Sequence, residues 1–201
     1  MTYTKLSAKL ALFTAVSALT QTAFAQAAPA GSQKLQLSTF VAATGTFTDL
    51  EGGKNLGITA GADLTFLGFR SFRPAFEARG TYPINEGHIS SQKNFLLGPK
   101  VEYPIGKVRP YADFLIGRGQ IDYHSPGFVY GDTLYISSNT TVYSFGGGLD
   151  CNLTHNLAIK GDVQFQHWDT PATASGTIHP TALTLGVVYS FDFNRGHRHN
   201  R

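Results

Sequence analysis

The 201-residue sequence has little of three things: cysteine, surplus charge and long hydrophobic runs. Its one cysteine, Cys151, excludes an internal disulfide and a disulfide-stapled scaffold. The formal net charge is only +3, and much of the surplus lies in Arg195, Arg198 and Arg201 at the extreme end, so nucleic-acid binding is not indicated. No run approaches the roughly 20 apolar residues that a membrane-spanning helix needs.

The first 25 residues have the pattern of a secretory signal peptide. Lys5 and Lys9 form a basic start, residues 10–19 are mostly apolar, and Ala23-Phe24-Ala25 is a small-x-small cleavage site. A membrane anchor is the alternative, but the apolar run is about half the length that a spanning helix needs. Cleavage before Gln26 removes two lysines and leaves a net charge of +1.

Beyond a loose Ala/Pro/Gly leader, the chain alternates between two kinds of side chain. In residues 55–66, one parity is apolar (Leu56, Ile58, Ala60, Ala62, Leu64, Phe66) and the other is small or polar (Gly57, Thr59, Gly61, Asp63, Thr65). Successive side chains of a strand point to opposite faces, so each such segment is a strand with one apolar face. The sequence predicts eight of them: 34–46, 55–67, 72–82, 93–103, 107–120, 140–151, 157–168 and 181–191. The first is the least regular, because Phe40 has the parity of the polar face.

Charged residues share the polar face of these segments, and the apolar face is predicted to carry none. The eleven are Asp63, Arg73, Glu77, Arg79, Lys100, Glu102, Arg109, Asp113, Asp150, Lys160 and Asp162. An unpaired ion away from water costs several kcal/mol, so we expect these residues to pair across strands in a network that fills an interior. Two alternatives stay open: a narrow or gated polar pore, and a catalytic pair of carboxylates.

The predicted connections alternate between short (68–71, 104–106, 152–156) and longer (47–54, 83–92, 122–139, 169–180). This rhythm is typical of an up-and-down barrel with two unlike rims. A soluble lipocalin-like barrel would need the apolar face inside, yet eight strands enclose only a modest interior. The apolar set is rich in Phe, Tyr, Leu and Ile, whereas the other set is rich in Gly, Thr, Ala and Ser. The prediction is therefore an all-β, eight-stranded antiparallel up-and-down transmembrane β-barrel. An aromatic girdle is expected at the tight turns (Phe66, Phe72, Tyr103, Tyr189, Phe191).

Three segments carry a family resemblance. Residues 186–191, Gly-Val-Val-Tyr-Ser-Phe, resemble the closing strand of OmpA/OmpX/Opa-like eight-stranded outer-membrane barrels. Val108-Arg109-Pro110-Tyr111 and residues 146–150, Gly-Gly-Gly-Leu-Asp, resemble mid-barrel segments of that family. The resemblance implies a monomer in the bacterial outer membrane, in contact with outer-membrane lipids and lipopolysaccharide. It also implies delivery by periplasmic chaperones and an assembly signal, read by the barrel-assembly machinery, on Leu185, Val187, Tyr189 and Phe191.

The implied organisation is a signal peptide at 1–25, a leader at 26–33, a barrel at 34–191 and a basic periplasmic tail at 192–201. The expected role is structural or interactive: membrane integrity, adhesion or binding through extracellular loops. The third long loop contributes Tyr123, Phe128, Tyr130 and Tyr135 as a possible contact surface, and outward-facing Arg118 is placed to meet lipid phosphates.

The alternative functions are a narrow or gated pore for small solutes and a lipid A-modifying barrel enzyme. His88-Ile89-Ser90 has a His-x-Ser spacing that could place a base beside a nucleophile, but it falls in a predicted loop. No enzyme activity, cofactor or nucleic-acid partner is predicted. No metal site is predicted either, because His197 and His199 in the tail make only a poor pair of ligands.

Overall fold

Eight long strands follow the alternation of the sequence. The computed structural model describes residues 35–49, 53–67, 72–85, 90–171 and 173–191. The long strands are β1 (Leu35–Phe47), β2 (Lys54–Phe66), β3 (Arg73–Asn85), β4 (Ser90–Glu102), β5 (Val108–Tyr123), β8 (Ser137–Asn152), β9 (Leu157–Asp169) and β11 (Thr181–Ser190). Three short ones lie in loops: β6 (Phe128–Tyr130), β7 (Thr133–Tyr135) and β10 (Thr177–Ile178). The predicted signal peptide, leader and tail lie outside the described residues.

The strands close on themselves. Each long strand pairs antiparallel with its neighbour along the chain, and β11 pairs with β1 to complete the ring. At this seam Phe40 lies opposite Val188, and Thr44 lies opposite Thr184. The predicted fold class, an all-β eight-stranded antiparallel barrel, is confirmed. Across the described ranges, no helix is long and apolar enough to cross a membrane.

The two ends of the barrel differ, though less than predicted. At the tight-turn end, the connections are 67–72, 103–107 and 153–156. At the long-loop end, the predicted loop 83–92 is mostly strand, because β3 runs to Asn85 and β4 begins at Ser90. The predicted loop 122–139 is likewise shortened, with Asp122 still paired to Ser137. Those loop boundaries were wrong because backbone pairing continues past the apolar band, into residues whose side chains no longer alternate between apolar and polar.

The outward face is apolar over most of its height. Phe76, Phe145 and Leu185 are each about half exposed or more, and similar side chains occur on every long strand. A face this apolar is suited to lipid. The prediction that the apolar face carries no charge is wrong at the long-loop end, where Lys93 and Asp122 have outward parity beyond the apolar band, as Arg118 was predicted to have.

Candidate functional site

The interior of the barrel, its lumen, holds a layer of buried ions. Ten of the eleven predicted residues are at most 8% exposed: Asp63, Glu77, Arg79, Lys100, Glu102, Arg109, Asp113, Asp150, Lys160 and Asp162. We call these ten the charged layer. Arg73 is not part of it: this residue is half-buried at the start of β3 and forms no ion pair with a described residue. The layer therefore contains six carboxylates and four cations rather than the expected near balance.

Lys100 is the cation with the most carboxylate neighbours. Its ammonium lies 3.0 Å from Asp63, 3.2 Å from Glu102, 3.4 Å from Glu77 and 4.0 Å from Asp150. Three of these acids come from β2, β3 and β8, so a single side chain of β4 ties four strands together. Desolvation makes such an ion costly unless it is well paired, and this one has carboxylates on several sides.

Arg79 organises the other half of the layer. Its guanidinium pairs with Glu77 on the same strand, with Asp162 at 2.7 Å and with Asp113 at 3.5 Å. The Gln164 amide donates to Asp113 at 2.9 Å and to Asp162 at 3.2 Å. Glu77 joins the two halves, because its second oxygen faces Lys100.

Two aromatic rings lie among the cations. The ammonium groups of Lys100 and Lys160 lie 4.1 Å and 4.2 Å from the centroid of the Tyr111 ring. Lys160 also lies 4.6 Å from the Phe40 ring. Such contacts stabilise cations that have left water. They explain the parity of Phe40, which the sequence presented as an irregularity: its ring fills the lumen.

Above the charged layer, toward the long loops, one side of the lumen is apolar. Leu96, Leu115, Ile121, Tyr123, Val142, Trp168 and Ile178 form one buried cluster, which we call the apolar plug. Sequence reasoning missed it by assuming a polar inner face throughout. A signal was present in unbroken apolar runs such as Phe95-Leu96-Leu97 and Phe114-Leu115-Ile116, where the middle residue points inward.

Trp168 is the largest member of the plug and is fully buried. Its indole N–H donates to the Gln166 side chain at 2.8 Å, so the one polar atom of the ring is satisfied. Gly119 faces the ring: a Cβ there would lie 2.4 Å from Trp168 Cζ3. The glycine is therefore the notch that admits the indole.

A ladder of threonine hydroxyls lines another part of the lumen. Thr44 contacts Thr59 at 2.6 Å and Thr184 at 3.1 Å, and Thr59 contacts Thr81 at 2.8 Å. These four residues lie on β11, β1, β2 and β3, whereas most of the apolar plug projects from β4, β5, β8 and β9. The four hydroxyls hydrogen-bond to one another across the strands, so this part of the wall is polar and each hydroxyl has a partner.

The third long loop contains the β6–β7 hairpin, and two of the four aromatics predicted as its contact surface belong to the apolar plug or pack against it instead. Tyr123 is buried in the plug, its hydroxyl 2.8 Å from Thr170 Oγ1, and Tyr135 packs against the same cluster. Three aliphatic side chains of the loop are exposed: Val129, Leu134 and Ile136 are 65%, 50% and 69% exposed.

The remaining predicted residues lie on the wall or outside the described part. Leu185, Val187 and Tyr189 point outward on β11. Phe191 follows the strand: its N–H donates to the Leu37 carbonyl at 2.9 Å and its ring meets Tyr189 edge-on. His88 and Ile89 lie outside the described residues. Within the described ranges, no three His, Cys, Asp or Glu side chains are grouped to hold a metal ion.

A closed eight-stranded wall with an apolar outside and ions inside defines a transmembrane β-barrel. The model of the outer membrane protein beta-barrel domain family matches residues 11–191, so the chain belongs to this family. The protein is thus a bacterial outer-membrane protein, and the resemblance to eight-stranded outer-membrane barrels is confirmed. Short turns are periplasmic in such barrels, so the long-loop end faces the cell exterior.

Solved structures share the fold at low sequence identity. Neisserial surface protein A (NspA) has a TM-score of 0.50 and 13% identity, over 81% of this chain and 100% of NspA. Ail, the attachment invasion locus protein of Yersinia pestis, has a TM-score of 0.50 and 16% identity, over 78% of this chain and 97% of Ail. No curated protein sequence matches the chain.

Proposed function

We propose that this protein acts at the cell surface through the contacts of its extracellular loops, and that it neither transports solutes nor catalyses a reaction. The observation that carries the proposal is the β6–β7 hairpin. Val129 and Leu134 lie opposite each other in its register, and Ile136 follows directly. All three are exposed at the end of the barrel that projects into water, where apolar side chains gain most from a partner.

The filled lumen supports a role other than transport. A pore needs an open polar path, whereas here the ions of the charged layer pair with one another across the lumen and the apolar plug fills one side of the space above them. A lipid-modifying enzyme needs a nucleophile beside a base. His167 and His179 lie 3.1 Å apart with Asp169 beside His167, but within the part of the chain that the structure describes no serine hydroxyl bonds to either ring.

The proposal extends to assembly partners. Leu185, Val187 and Tyr189 form a continuous outward apolar row that ends at Phe191. We expect the barrel-assembly machinery to read this row after periplasmic chaperones deliver the chain. The same outward face is expected to contact outer-membrane lipids around a monomer.

The hairpin is tested on whole cells. Cells that express the wild type should partition into hexadecane and aggregate more than cells without the protein. The triple variant Val129→Ser/Leu134→Ser/Ile136→Ser should return both readouts to the level of cells without it, because the apolar contact face is removed. Leu153→Ser is the matched control, since Leu153 is 59% exposed at the periplasmic end.

Folded protein in each strain is measured by the gel shift between boiled and unboiled samples. A folded triple variant whose cells still partition into hexadecane and aggregate like the wild type would contradict the proposal. Stepwise conductance of the wild type in planar bilayers would favour the pore instead.

A further inference from the structure

Two histidines lie directly opposite each other on the outer face of the barrel at its extracellular end. Strand β9 keeps one antiparallel register with β10 and β11, and between those two strands this register places His167 opposite His179. The neighbouring opposite pair, Trp168 and Ile178, points into the apolar plug and is buried. The two imidazoles therefore project outward from a backbone that is fixed from inside. We call these two residues the histidine pair.

The two imidazole rings face each other through one nitrogen each. His167 Nδ1 lies 3.1 Å from His179 Nε2, and the ring centroids are 4.9 Å apart. Two nitrogens that bind one metal ion at about 2.0–2.1 Å are about 2.8–3.0 Å apart at adjacent corners of a square plane and about 3.3–3.4 Å apart in a tetrahedron. The spacing in the histidine pair falls between these values, so one ion can bind both nitrogens after a small shift of the rings.

A carboxylate orients the first ring. Asp169 Oδ1 lies 3.5 Å from His167 Nε2, the nitrogen that does not face the second histidine. A carboxylate in this position favours the tautomer with its proton on Nε2, which leaves the lone pair of Nδ1 for a metal ion. Histidines that bind metals in proteins nearly always donate their other ring N–H to such a partner, which fixes the ring and raises its basicity. The histidine pair therefore has the supporting group that a metal ligand needs.

The first long loop holds the second histidine in place. The His179 backbone N–H donates to Asp49 Oδ2 at 3.3 Å, so the segment before β11 is attached to the segment after β1. Both rings remain open to water, since His179 is exposed and the His167 side chain is 42% exposed. An ion between the rings can therefore take water molecules as its remaining ligands.

We propose that the histidine pair binds a divalent transition-metal ion at the cell surface, Cu²⁺ most tightly, through His167 Nδ1 and His179 Nε2. The ion takes the place of the hydrogen between the rings, and the proton of His179 moves to its Nδ1. Imidazole suits Cu²⁺, Ni²⁺ and Zn²⁺, and for a given set of ligands the affinity is highest for Cu²⁺. Two protein ligands are fewer than the three or four of resident zinc sites, so the ion exchanges with solution. This site is independent of the β6–β7 hairpin, and its test does not depend on the adhesion result.

The test titrates the folded barrel, without an affinity tag, with CuCl₂ in detergent and follows the heat of binding. The change His197→Gln/His199→Gln is made first, so that the tail contributes no imidazole. In this background the barrel should bind Cu²⁺ more tightly than Ni²⁺ or Zn²⁺, and Mg²⁺, which prefers oxygen ligands, should not compete. His167→Gln and His179→Gln should each lower the Cu²⁺ affinity at least about tenfold. His124→Gln is the matched control, because His124 is an exposed histidine at the same end of the barrel.

Electron paramagnetic resonance of the Cu²⁺ complex supplies a second readout, since two bound imidazoles split the signal through two nitrogens. Asp169→Asn should keep both nitrogens and weaken binding about tenfold, as loss of an orienting carboxylate does. A signal from one nitrogen, an unchanged affinity in His167→Gln, an equal loss in His124→Gln, or displacement by Mg²⁺ would each overturn the site. If His167→Gln shows no gel shift on boiling, His179→Gln decides, because its residue lies between strands rather than within one.

Discussion

The charged layer and the apolar plug both fill the lumen, but one does so with paired ions and the other with packed apolar side chains. The charged layer places ten ionisable side chains, at most 8% exposed, where each depends on its neighbours for the interactions that water would supply. The apolar plug, only a few residues higher on the same strands, excludes water by packing around Trp168. Removing one ion from the first leaves several others unpaired, whereas removing one side chain from the second leaves a cavity. The two layers should therefore respond differently to substitution.

The largest effect is expected from Lys100→Met. The change leaves up to four carboxylates without their shared cation, and breaking a buried ion pair in this way costs about 3–5 kcal/mol. We expect the upper end, about 5 kcal/mol, in the free energy of unfolding by urea in lipid vesicles. Lys93→Met is the control, because its ion pair is exposed and worth at most about 1 kcal/mol. Similar losses for the two variants would mean that water reaches the charged layer.

Trp168→Ala should have a smaller effect, about 3 kcal/mol, the low end for a buried aromatic ring. Gly119→Ala should also destabilise the wild type, because its new methyl group overlaps the indole. In the Trp168→Ala background the same methyl should cost less, although Val142 Cγ2 still lies 2.7 Å from it, and the double-mutant cycle of unfolding free energies measures this coupling. Planar bilayers should stay silent, since the charged layer still fills the lumen. Additive costs would show that Gly119 is not the notch for Trp168.

Thr44→Val should cost least, about 1–2 kcal/mol, because the hydroxyls of Thr59 and Thr184 each lose a partner while the lumen stays filled. Thr39→Val is the matched control, since Thr39 lies on the same strand with outward parity and is only partly buried. Unfolding midpoints in urea separate the two. An equal, near-zero cost for both would indicate that water replaces the ladder.

Period-two alternation was enough to predict the barrel and the direction of its side chains. It identified all eight long strands and the inward residues of the charged layer, because a lipid-facing wall forces a strict apolar parity. The alternation did not predict where the strands end. Strand β3 extends to Asn85 and β8 begins at Ser137 through backbone pairing, which leaves no pattern in the side chains. Arg73 has the predicted inward parity and lies opposite buried Glu102, yet as the first residue of β3 it is only half-buried, a difference that the alternation does not record.

The apolar plug escaped prediction because two inner layers of different chemistry share one parity. Leu115 and Asp113 are both inward on β5, yet one packs in the plug and the other pairs with Arg79. Only their height along the strand separates them. The pairing of ions also depends on strands distant in sequence, so the partners of Lys100 follow from barrel closure rather than from local pattern.

The glycines that face lumen rings constrain how this interior can change in evolution. A Cβ at Gly61 would lie 2.5 Å from both the Phe40 ring and the Ala78 carbonyl oxygen, and one at Gly148 would lie 2.1 Å from the Gly161 carbonyl oxygen and 2.7 Å from the Tyr111 hydroxyl. The backbone contacts remain whichever ring is present, so a smaller ring alone does not make room for a side chain at either glycine. Among descendants of this chain, we expect both glycines to persist even where Phe40 or Tyr111 is replaced. A designer who refills this interior would have to keep them and choose rings that fit the space they leave.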